Sequence, residues 1–185
     1  MDALYKTELE KITKGHIFYR FQDEEAYLEN LISFIFTGIE NKQQILIIEN
    51  MRNLPKIKAK IELLVSDEQQ TSIRLVNNFE YYLSKGDFHT PTILNYFQKD
   101  LSALKNLNTP IRTWAHVEWT SSEPDAELLK EFESTADEFV LQGDMLSVCA
   151  YSSTHLTSTM NIALEQLHKY VLTDDSLSVS SSYSR

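Results

Sequence analysis

His116 and Glu118 stand two apart in the run IRTWAHVEW (111–119), which is rich in β-branched and aromatic residues. On a strand, that spacing sends both side chains to one face. A third donor, His155 or Glu49, would complete a metal site of imidazole and carboxylate ligands. Without one, the pair is expected as a buried hydrogen-bonded couple, the commoner outcome, and no metal is expected. Four aromatic residues, Tyr19, Trp114, Trp119 and Tyr151, could wall a pocket for a small molecule, although aromatic side chains in central strands usually fill the core. Nucleophilic catalysis has less support. No G-x-S-x-G turn exposes a serine. The single cysteine, Cys149, lies in the apolar run MLSVCAY, where a buried, inert thiol is expected.

A second constellation is defined by what it lacks. The apolar run GHIFYRF (15–21) passes into a helix through Gln22, Asp23, Glu24 and Glu25 without a glycine. In nucleotide-binding α/β proteins, the first strand-to-helix turn carries glycines and a lysine that hold phosphate. The sequence contains no G-x-x-x-x-G-K-S/T. The N–H groups and partial positive charge of a helix amino terminus still need a negative partner, and side-chain carboxylates can supply it. Three acids at the turn would also repel a triphosphate. The turn is therefore read as having lost ATP binding.

Strands and helices alternate around these residues. Strands are expected at 15–21, 44–50, 72–78, 111–119 and 144–151, the second (QILIIEN) apolar throughout, as in a strand buried on both faces. Tyr27, Leu28, Leu31, Ile32, Ile35 and Ile39 recur at helical spacing behind the first strand. Further helices are expected around 54–65; over 90–107, with Thr90 as cap and Pro91 at the first helical position; after Ser122 and Asp125, which form a capping-box pattern, as far as Gly143; and over 153–171. Such alternation implies right-handed crossovers and an α/β three-layer sandwich around a mostly parallel central sheet of about five strands. Ligands of such sheets bind beyond the carboxyl ends of the strands, which nominates Phe21 to Glu24, Glu49 to Arg52, Trp119 to Ser122 and Tyr151 to His155. Residues 1–14 read as a helical extension. The serine-rich segment 172–185 reads as a disordered tail.

Composition narrows the partners. A chain of 185 residues suits one domain with a sizeable core. Its 17 basic and 27 acidic residues leave a formal net charge of -10, which disfavours nucleic acid and anionic membrane surfaces. The basic cluster Lys56, Lys58 and Lys60 is read as a solvated helix face. No secretory signal or membrane span is seen, and a cytoplasmic, reducing location is expected.

Three stretches, GHIFYRFQDEEAYLENLISFIFTGIENKQQILIIEN, FEYYLSKGDFHTPTILNYFQKDL and SVCAYSSTHL with ALEQLHKYV, resemble the MEDS family, with His16, Asp23, Glu24, Gly86 and Phe88 as marked positions. MEDS is a sensory domain named for methanogens, methylotrophs and the dichloromethane repressor. It is similar to the RecA/KaiC-like ATPase fold with a degenerate phosphate loop. The resemblance covers residues 15–171. It implies a non-enzymatic signalling domain without a cofactor, linked to transcription regulation, that binds a small organic ligand, a regulatory signalling protein or both. A homodimer is compatible with it. Candidate ligand-binding residues are His16, Tyr19, Asp23, Glu24, Glu49, His116, Glu118, Trp119, Tyr151 and His155. Two alternatives stay open: a small-molecule enzyme using His116, Glu118 and His155, and a pure protein adaptor.

Overall fold

The computed structural model describes residues 3–86, 88–104, 108–120 and 124–184, with side chains from residue 6 onward. The chain runs α1 (Ala3–Lys11), β1 (Gly15–Phe21), α2 (Glu24–Glu40), β2 (Gln44–Glu49), α3 (Leu54–Leu64), α4 (Asp67–Gln70), β3 (Ile73–Asn77), α5 (Phe79–Tyr82), α6 (Thr90–Ser102), β4 (Ile111–His116), α7 (Ala126–Gln142), β5 (Leu146–Ser152), α8 (Ser158–Leu167), β6 (Tyr170–Leu172) and β7 (Leu177–Val179). The strands form one sheet in the order β3-β2-β4-β5-β1-β6-β7, parallel except for β7.

Successive side chains of a strand face opposite ways, so each apolar run feeds two cores. Ile17, Tyr19, Ile45, Ile47, Trp114 and Val148 pack on one side, under Leu9 of α1, Leu31 and Ile35 of α2, and Ile57 of α3. Phe18, Leu46, Ile48, Cys149 and Tyr151 pack on the other, under Ile93 of α6, Leu129 and Phe132 of α7, and Met160 and Leu164 of α8. These are the three layers. Helix α2 lies close to the sheet at Gly38, where a Cβ would come within 2.7 Å of Ile45 Cδ1 and 2.8 Å of Arg112 Cδ. A bulkier residue there would push the two layers apart.

Caps fix where the helices begin. Asp23 accepts Ala26 N–H to start α2, and Asp125 accepts Leu128 N–H to start α7. Ser122, the other half of the expected capping box, lies outside the described residues. At α6 the cap is His89, which accepts Thr92 N–H, and Thr90 is already helical. An imidazole nitrogen serves here as well as the hydroxyl that the sequence suggested.

The carboxyl-terminal region differs most from expectation. The predicted helix over 153–171 is a short 3-10 turn at Ser153–His155, then α8, and it ends where His168 turns extended. Beyond it, Tyr170, Val171 and Leu172 pair in parallel with Ile17, Phe18 and Tyr19, and β7 folds back on β6. The expected disordered tail is thus corrected to a hairpin on the sheet. Its serine-rich composition hides two buried residues, Val171 and Leu172, and an edge of β1 that would otherwise present unpaired backbone groups.

Candidate functional site

The turn after β1 is held by an acid from far along the chain. Asp174, between β6 and β7, accepts the backbone N–H groups of Gln22 and Asp23 through Oδ2, each at 2.9 Å. Its Oδ1 accepts the hydroxyl of Tyr19 at 2.8 Å, and that hydroxyl also accepts Asn30 Nδ2 at 3.0 Å. Asp23 is occupied in capping α2, and Glu24 pairs with Arg52 at 2.6 Å. The positive end of α2 is satisfied by side chains of this protein.

Next to it, the ends of β2 and β4 carry a buried polar chain. Glu49 Oε1 lies 2.6 Å from His116 Nδ1 and accepts Asn50 N–H at 2.8 Å. Glu49 Oε2 accepts the Tyr27 hydroxyl at 2.5 Å, and Trp114 Nε1 donates to that hydroxyl at 2.9 Å. On its other side His116 Nε2 is 3.3 Å from Glu118 Oε1. Glu118 also accepts from Asn50 at 3.0 Å and from Asn78 at 2.8 Å, and Asn78 reaches His116 O at 2.9 Å. Burial alone would lower the His116 pKa, but the hydrogen bond and charge of Glu49, with the charge of Glu118, outweigh it and hold the ring above the usual histidine value. Burial, reinforced by Glu49, pushes the Tyr27 phenol well up. The chain is an imidazolium between two carboxylates. Both His116 nitrogens face those carboxylates, so in this arrangement neither presents a lone pair to a metal or substrate.

The nominated residues fall into separate groups. Glu49, His116 and Glu118 come together; Tyr19, Asp23 and Glu24 surround the adjoining turn. Trp119 and His155 sit side by side on the opposite face, ring centroids 6.0 Å apart, with Phe88 and Tyr151 against the indole. His155 therefore does not join His116. Trp114 and Tyr19 belong to one core and Trp119 and Tyr151 border the other, so the four aromatics do not line a common pocket. Two residues point away from the strand ends. His16 is the second residue of β1, buried beside Asp137, and Tyr151 donates its hydroxyl to Glu133 of α7. Burial, with the charge of His168, lowers the His16 pKa. Cys149 is buried, as its apolar run suggested, and burial beside Glu133 pushes its thiol well up.

Asp174, Tyr27, Asn50 and Asn78 are the members that sequence reasoning missed. Tyr27 carried only an apolar signal, as part of the α2 stripe, and Asp174 was hidden in a low-complexity run. The two asparagines follow β2 and β3 directly, a position that the rule of strand carboxyl ends marks.

An open groove of about 780 Å³ runs from this rim between α2 and α3. Leu28, Ile32 and Ile57 form its floor, with Glu24, Glu25 and Glu29 on one wall and Lys56 and Lys60 on the other. Leu63 and Leu64 at its far end are exposed, at 77% and 56%. Among the described residues no helix is long and apolar enough to cross a membrane.

Residues 15–169 match the family model described as the methanogen/methylotroph, DcmR sensory domain. No curated protein matches the chain. Among solved structures it is similar to a KaiC-like protein from the hyperthermophilic archaeon Pyrococcus horikoshii OT3, with a TM-score of 0.57 and 12% identity over 87% of this chain and 71% of that one. It is also similar to a phage-type designation solved as an ATPase domain only in fold, with a TM-score of 0.56 and 9% identity over 91% of this chain and 74% of the other. At such identities the likeness establishes the RecA/KaiC-like fold.

Proposed function

The chain belongs to the methanogen/methylotroph, DcmR sensory (MEDS) family, and from that premise we propose that it is a non-enzymatic cytoplasmic sensory domain whose ligand is a small organic molecule bound along the groove between α2 and α3. The observation that carries this reading is the position of Asp174. The amides of Gln22 and Asp23, at the turn where nucleotide-binding relatives of this architecture hold phosphate, are taken by a carboxylate of the same chain. A triphosphate would have to displace that carboxylate and approach Asp23, Glu24 and Glu25. The reading is a domain that keeps the architecture and reports on another ligand.

The groove supports the choice of ligand. Its volume falls within the range of small-molecule sites, and an apolar floor with charged walls suits a compact, mainly apolar molecule with one polar end. The polar chain from Trp114 to Asn78 lies beneath the rim, where a shift of α2 through Tyr27 would reach Glu49 and His116. The test is native mass spectrometry of the protein purified from its own host, beside Ala59→Trp, which fills the groove from its exposed side. A small molecule retained by the wild type and lost from a folded Ala59→Trp supports the reading. Stoichiometric ATP binding, or an equal load in both proteins, overturns it.

A regulatory protein is the second reading, and exposed Leu63, Leu64 and Met51 favour it. A partner that docks there would be lost from Leu63→Glu while the small molecule stays bound.

A further inference from the structure

Four side chains with metal-binding atoms meet in the core where β1, β5, α7 and the end of α8 converge. His16, Glu133, Cys149 and His168 are all buried, and one ligand atom from each lies within 4.8 Å of the others. His16 Nε2 is 3.3 Å from Cys149 Sγ and 3.5 Å from Glu133 Oε2, and His168 Nε2 is 3.4 Å from the same oxygen. The strand-end rim is elsewhere, so this cluster is independent of the sensory site proposed above.

The surroundings determine which atoms point inward. His168 Nδ1 is 2.7 Å from the carbonyl of Leu164, which can only accept, so Nδ1 carries the hydrogen. His16 Nδ1 is 3.3 Å from an Asp137 carboxylate oxygen and is placed in the same way. In both neutral rings the lone pair is then on Nε2, directed at the centre. Glu133 Oε1 accepts the Tyr151 hydroxyl, which leaves Oε2 to face the two imidazoles. The hydrogen of the Cys149 thiol can serve His16. Nothing serves the other two: Glu133 Oε2 and His168 Nε2 are fully buried and have no hydrogen bond. Two electron-rich atoms facing each other in an apolar core are costly unless a cation lies between them.

We propose that His16, Glu133, Cys149 and His168 form a structural binding site for one tetrahedral divalent transition metal of the zinc class. The distances suit it. Metal–ligand bonds of about 2.0–2.3 Å place the corners of a tetrahedron roughly 3.3–3.8 Å apart, and the three separations above are 3.3, 3.5 and 3.4 Å. Two imidazoles, one carboxylate and one thiolate are a borderline-soft donor set that selects such an ion over magnesium or calcium. Charge balances as well: the thiol gives its proton to water as the metal–sulfur bond forms, and the thiolate and carboxylate together cancel the charge of the ion. Asp137, the Leu164 carbonyl and Tyr151 supply the outer hydrogen bonds that orient the ligands of real metal centres. Four protein ligands leave no open position, so the role is structural. Because His168 directly precedes β6, the ion would fasten the carboxyl-terminal hairpin to β1 and α7.

The test uses the full chain, stripped with a chelator and titrated with cobalt(II). One equivalent should bind, with the intense visible bands of tetrahedral cobalt and a near-ultraviolet thiolate charge-transfer band. Cys149→Ser should lose the charge-transfer band, and His168→Gln should bind cobalt at least tenfold more weakly, the low end of the loss expected when a ligand's role in a site is removed. Zinc should raise the melting temperature of the stripped wild type, a readout that needs no variant to fold. Folded wild type that gives only the pale spectrum of octahedral cobalt and no zinc-dependent melting shift overturns the proposal. So do folded variants that bind as the wild type does.

Discussion

The carboxylate of Asp174 accepts the backbone N–H of Asp23 at 2.9 Å, so one acid late in the chain is docked on the turn that another acid caps. Three donors converge on that carboxylate: the amides of Gln22 and Asp23 and the hydroxyl of Tyr19. Replacing it with alanine strands all three. Asp174→Ala should cost about 1–3 kcal/mol in a urea melt, the usual range for donors left without their acceptor. Asp175→Ala, at an exposed neighbour, should stay within about 0.5 kcal/mol. Equal effects from the two would show that the docking contributes nothing.

Nucleotide should not bind. A fluorescent ATP analogue at micromolar concentration is expected to show no saturable signal with the wild type. Asp174→Ala should not create one, because the turn still has Asp23, Glu24 and Glu25 and still lacks glycine and lysine. Saturable binding competed off by ATP would refute both statements.

His116 makes stability depend on pH with a definite sign. Its folded pKa is raised above the ordinary 6.5. The ion pairs with Glu49 and Glu118 therefore stabilise fully below about that pH and fade as pH rises through the folded value. The destabilisation caused by His116→Gln should thus be larger near pH 6 than near pH 9, measured by denaturant melts at both. A difference that is flat, or that grows with pH, would mean the ring is neutral in the folded protein.

Core and rim should separate. Ile47 is fully buried in the middle of β2, so Ile47→Ala should cost roughly 2–5 kcal/mol through the cavity it leaves. His155 is exposed and touches only Trp119 among the rings, so His155→Ala should change stability by less than about 0.5 kcal/mol. A urea melt of each variant decides it, and a large loss from His155→Ala would place that side chain in the packing.

The five parallel strands were legible because each is a run of apolar residues long enough to be buried on both faces, and their boundaries in Gly15–Phe21 and Gln44–Glu49 came within a residue of expectation. The acidic turn was legible too, as a missing motif. The partner that completes it was not, because nothing local distinguishes Asp174 from Asp175 or from the serines around them. Its role depends on β6 pairing with β1, a contact more than 150 residues long in sequence. The same holds for His16 and His168. Each looked like one polar residue in an apolar setting, and only the crossing of β1, β5, α7 and α8 puts them next to Glu133 and Cys149.

The sheet order also sets a timetable for folding. β1 has only β5 and β6 as neighbours, and its first pair joins Gly15 to Leu146. On a ribosome that adds about 5–20 residues per second, an apolar strand finished early waits on the order of ten seconds for its first partner to be made. During that wait β1 has both edges open, while β2 and β3 can already pair with each other. Newly made chains should therefore need shielding at residues 15–21, and slowing synthesis ahead of β5 should raise the aggregated fraction more than the same delay after β6.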